Sequence, residues 1–81
     1  MPEYCVNKNL DSQGKNHEVH RLDQHRRKDG TFGYCRWLPK KENQVELGWH
    51  LGCAQAVQKS KREHFANSDG CFHCSEECHE G

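Results

Sequence analysis

The chain is short of the materials from which a core is ordinarily built. Isoleucine is absent, there is one methionine, and leucine, valine and phenylalanine together supply twelve of 81 residues. Apolar residues make up 32 % and charged residues 30 %, with a mean hydropathy of −1.20. That composition borders on the class of chains that never collapse. Charge of one sign is also lacking, since twelve Lys and Arg balance twelve Asp and Glu, so no self-repulsion swells the chain. No apolar run approaches the length of a membrane span. The opening Met1-Pro2-Glu3-Tyr4-Cys5 starts no signal peptide, which points to a cytoplasmic setting. There is no Gly-rich phosphate loop and no Ser/His/Asp arrangement, and no residue is assigned a catalytic role.

What the chain has instead is six cysteines and seven histidines. A cross-link, covalent or metallic, is the usual remedy for a domain too small to bury enough apolar surface. A reduced cytoplasmic chain uses such residues for metal, whereas three disulfides are the alternative in a secreted one. A structural zinc contributes on the order of 10 kcal/mol, so the metal-free chain is expected to be largely unfolded.

The chain reads as a single zinc-binding domain over residues 1–81. Residues 3–7 and 17–22 are strand candidates. In the second, His17, Val19 and Arg21 alternate with Glu18, His20 and Leu22, leaving the inward face ambiguous. Residues 23–34 form a polar, basic loop with a hairpin signal at Asp29-Gly30. Arg26, Arg27, Lys28, Arg36 and Trp37 are candidate nucleic-acid contacts there, set against the plain reading of a solvated loop in a neutral protein. Residues 45–51 alternate strictly, placing Val45, Leu47, Trp49 and Leu51 on one side, with Gly48 marking a weakness or a bulge. Residues 53–66 predict the one helix, with Cys53, Ala54, Val57, Ser60, His64 and Phe65 inward. The fold class expected is α+β, with about three antiparallel strands, one helix and a C-terminal zinc knuckle.

The knuckle is Gly70-Cys71-Phe72-His73-Cys74-Ser75-Glu76-Glu77-Cys78-His79. Cys71 and Cys74 have the spacing with which two thiolates close on one tetrahedral ion. Cys78 and His79 are adjacent, which makes it hard for both to face that ion, and a wholly local site would leave the N-terminal half without a cross-link. His20 and Cys35 are the better partners. His17, Cys53, Cys78 and His79 form a second candidate metal set, although Cys53 also reads as a buried small hydrophobe. Cys5 reads as packing, and His25, His50, His64 and His73 as surface residues.

Several of these pieces carry a resemblance. Val19-His20, Cys35-Arg36-Trp37-Leu38, the apolar strand, Ala54 to Val57 and Gly70-Cys71-Phe72-His73-Cys74 are similar to the small metal-binding domain of Ada-type alkylation-repair proteins. Val-Asn-Lys-Asn, His-Glu-Val-His, Leu-Pro and Gly-Cys-x-x-Cys-x-x-x-Cys-His resemble a group of short uncharacterised bacterial zinc-binding proteins, and cover nearly the whole chain. The family separates histidine and cysteine by a few residues, whereas fourteen lie between His20 and Cys35 here, so residues 23–34 read as an insertion. The resemblance implies the fold and the ligands His20, Cys35, Cys71 and Cys74. The function expected is a small, monomeric zinc-binding module touching nucleic acid or a protein partner. A zinc-thiolate alkyl acceptor of Ada type, or a purely structural or metal-buffering protein, is the alternative.

Overall fold

A computed structural model describes residues 2–80. In chain order the elements are β1 (Glu3–Asn7), β2 (His17–Arg21), β3 (His25–Arg26), β4 (Phe32–Gly33), β5 (Gln44–Trp49), α1 (Cys53–Glu63) and β6 (Ser68–Gly70). The class is α+β, as composition and pattern predicted. The main sheet has four strands in the order β5-β1-β2-β6 rather than three. It is also mixed, because β6 runs parallel to β2 while β1 is antiparallel to both neighbours. Ser-Asp-Gly has no strand pattern of its own, and pairing with β2 is what makes it one.

Pairing of Val6 with Val19 and of Cys5 with His20 settles the ambiguity of β2. Tyr4, Val6 and Val19 lie in one cluster with Leu47, Cys53, Ala56 and Val57, beneath α1. Cys5 and His20, both fully buried, face the other way. Both sides of the sheet are covered, one by a helix and the other by loops.

Two elements depart from their predicted faces. In β5, Leu47 is an extra residue between the Gly48–Tyr4 and Glu46–Cys5 pairs, and Gly48 takes φ +83. This bulge inverts the alternation, so Leu47 is buried while Trp49 and Leu51 are exposed. The helix ends at Glu63, where the amides of His64 and Phe65 both donate to Ser60 O. Its buried face is Cys53, Ala56, Val57 and Ser60, while Ala54 and His64 lie outside. Within residues 23–34, expected as a loop, the chain folds as a ribbon of β3 and β4, closed by Arg27 N donating to Thr31 O.

Candidate metal centre

Three segments converge on the face of the sheet opposite the helix. Because Val19 is turned toward α1, its neighbour His20 must point away from it. The parallel pairing of β6 continues one step beyond the strand, with Cys71 N donating to Val19 O at 3.0 Å, which sets Cys71 beside His20. Ser75 N then donates to Cys71 O and Cys78 N to Ser75 O, closing two tight turns that bring Cys74 back over β2. Its sulfur accepts from Arg21 N at 3.4 Å and lies 3.6 Å from His20 Nδ1. His73 N donates to Cys71 Sγ at 3.4 Å, a contact that leaves the sulfur oriented for a ligand. Cys35, carried at the exit of the β3–β4 ribbon, completes the group with its sulfur 3.9 Å from Cys71 Sγ.

One donor atom from each of His20, Cys35, Cys71 and Cys74 lies within 4.8 Å of the others. This group can hold a metal ion. The first three are buried and Cys74 is partly open. Gly70 is needed for the arrangement, because a Cβ there would fall 2.7 Å from both Cys78 Cβ and Ser75 O.

Charge in the group is divided unevenly among the sulfurs, and Cys71 too is drawn below the ordinary thiol range, the opposing hydrogen bond to Cys35 being outweighed by those from Cys74 and His20. Cys35 is held as a thiolate, its pKa lowered to about 3, first by the thiol of Cys71 and then by that of Cys74 donating to it. Cys74 is pushed far above the ordinary thiol range by giving its proton to Cys35. A cation would take the place of these S–H donors, and binding would therefore release protons. His20 Nε2 is buried with no hydrogen-bond partner, and the Glu18 carboxylate lies 3.9 Å away. Behind the group, Cys5 is kept neutral by burial and then by Cys35, its pKa raised to about 12.

The second candidate set is not gathered as donors. Cys53 and Cys78 are joined in a disulfide, so their sulfurs are spent on each other. His17 stacks on Phe65 at 3.7 Å and its Nδ1 meets Asn7 O. His79 Nδ1 lies 3.0 Å from Gly70 O and 3.3 Å from Asp69 Oδ2. The reading of Cys53 as an inert core residue is right about burial and misses the bond. The expectation that thiols stay reduced holds for Cys5, Cys35, Cys71 and Cys74 and fails for this pair.

Of the candidate nucleic-acid contacts, most are internally engaged. Arg27 donates to Tyr34 O and Thr31 Oγ1, Lys28 pairs with Glu76 at 2.7 Å, and Arg36 pairs with Asp29 at 3.1 Å. Arg26 is exposed, and Trp37 stacks on His73 at 3.6 Å. His25, expected at the surface, is buried. Its Nδ1 donates to Asp23 O, and with Arg36, Trp37 and His73 it lines a cavity of about 260 Å³ beside Cys35. The only sequence signal for this was the hairpin that sets His25 opposite Gly33. Compared with known proteins, the chain matches no family model, no curated protein and no solved structure.

Proposed function

We propose that this chain is a small zinc-binding module whose ion is structural and whose ribbon side is a contact surface. The observation that carries the metal reading is the spacing of four donors drawn from three distant segments. With Zn–S bonds of 2.3 Å at the tetrahedral angle, two sulfurs sit about 3.8 Å apart, and a sulfur and an imidazole nitrogen about 3.6 Å. The corresponding separations here are 3.9 Å for Cys35–Cys71 and 3.6 Å for Cys74–His20. Three thiolates and an imidazole also suit zinc's borderline softness. Ligation through Nδ1 puts the His20 proton on the otherwise orphaned Nε2, facing the Glu18 carboxylate 3.9 Å away, a group of the kind that orients metal-bound histidines.

Native mass spectrometry tests the ligand set. Wild type and Cys78→Ser are expected to carry one zinc and Cys35→Ser none; the reverse pattern would replace the set. For the contact surface, Phe32, Tyr34 and Trp37 are all at least half exposed, beside Arg26. With Lys28 and Arg36 paired to acids, stacking rather than charge would dominate any grip on a nucleic acid. Single-stranded oligonucleotides are expected to bind with a shallow salt slope, on the order of one or two phosphates. No binding at any salt concentration would leave a protein partner.

One observation favours the Ada-like alternative: Cys74 is the ligand open to solvent, where an alkyl group could reach it. A methyl donor that leaves the mass of the zinc form unchanged would end that reading.

A further inference from the structure

We infer that Cys53 and Cys78 form a redox site coupled to the metal centre, at which a dithiol reductant opens the bond and thereby loosens the hold of Cys71 and Cys74 on the ion. The inference rests on the zinc reading above and adds a regulation to it.

The coupling follows from where the bond sits. It joins the first residue of α1 to the end of the knuckle turn, across 25 positions. Cys71 and Cys74 lie inside that loop, and His20 and Cys35 lie outside it. The hydrogen bonds from Ser75 N to Cys71 O and from Cys78 N to Ser75 O make the turn a short rigid relay between ligand and disulfide. Gly70 packs directly on Cys78, so Cys78 cannot shift without disturbing the residue next to Cys71. At its other end Cys53 belongs to the core cluster with Ala56 and Val57. The bond thus anchors the knuckle to the buried core. It also removes disordered conformations from the metal-free chain, which reduces what zinc must order when it binds.

The chemistry has a direction. Cys53 is buried, whereas Cys78 is partly open and lines a groove with Ala54, Val57, Lys61 and Glu77. A reductant thiolate therefore attacks Cys78 Sγ. The bond to Cys53 breaks, a mixed disulfide forms, and Cys53 leaves as a thiolate. It leaves at the N-terminal end of an eleven-residue helix, whose dipole favours negative charge, while the nearby Glu77 carboxylate favours its prompt protonation. The reductant's second thiol then displaces Cys78. Two electrons pass to the protein, the reductant ends as a disulfide, and its two protons go to Cys53 and Cys78. Once protonated, Cys53 has Glu77 Oε1 at 3.4 Å as its acceptor.

The test uses the full zinc-loaded chain, with the disulfide form verified by mass as two hydrogens lighter. Zinc affinity is measured by chelator competition before and after a phosphine, which reduces disulfides without the zinc binding of a dithiol. The dissociation constant is expected to rise by about 5- to 150-fold on reduction and to recover on reoxidation. The Cys53→Ser, Cys78→Ser double variant is expected to match the reduced protein and ignore the phosphine. If that variant does not fold, the reduced and reoxidised wild type carries the test. Equal affinity in both redox states overturns the coupling. Failure to bind zinc in either state instead overturns the metal reading on which it rests.

Discussion

Adjacent on β2, Val19 and His20 are both fully buried, one against the helix and the other against the thiol cluster. Sequence alone could not choose between these faces, because it assumes that a strand has one inside. The candidate metal group was legible as chemistry: Cys71-x-x-Cys74 by its spacing, and His20 and Cys35 by the need to tie the two halves together. The Cys53–Cys78 bond was not legible, since it joins residues distant in sequence, and the burial of His25 left no trace beyond the hairpin signal. Cys5 gives a prediction at this scale. Its thiol is neutral in both folded and unfolded chains below about pH 9. Above that the unfolded chain ionises while the folded one keeps the proton until about 12. The folded state then binds more protons, so stability falls as pH rises through this window. Urea midpoints taken across it should show a shallower decline for Cys5→Ala than for wild type. Parallel declines would mean that Cys5 is not the group responsible.

Among the elements, β5 shows why a correct strand prediction can still misplace side chains. Its location is close to the predicted one, but the single extra residue at Leu47 sends Trp49 to solvent. Gly48 holds that bulge at φ +83, and beyond its chain neighbours no atom lies within 4 Å of the place a Cβ would occupy. A side chain there meets no clash, so its cost is that of the backbone alone. Gly48→Val is expected to destabilise the protein by about 1–2 kcal/mol, read as a lower urea midpoint at unchanged slope. A larger loss would mean that the space is not open. The helix was readable at its start and not at its end, because His64 and Phe65 both turn back onto Ser60 rather than continuing. For β6 no local signal exists; its three residues become a strand through β2.

At the scale of the whole molecule, the accessible surface is 5111 Å², against about 5,050 Å² for a typical folded monomer of this mass. The radius of gyration is 11.3 Å, against about 11.7 Å expected for the length. Ordinary compactness is reached with a buried core cluster of seven residues, which argues that cross-links replace apolar area. This much was readable from composition, whereas the strand order was not, since pairing between distant segments leaves no mark within either. Stripping metal from the reduced protein with a chelator is expected to abolish most ordered far-UV circular dichroism, and zinc to restore it. An unchanged spectrum would mean that the small core suffices.

The stack of Trp37 on His73, with ring planes 5° from parallel, joins the loop after Cys35 to the turn between Cys71 and Cys74. Trp37 stands two residues beyond Cys35, and His73 lies between Cys71 and Cys74. Ring contact with an imidazole can quench indole emission, so Trp37 is expected to brighten as the loops part. Trp49, exposed on β5, contributes a steady background. Indole emission is thus expected to serve as an optical gauge of whether those two loops are held together.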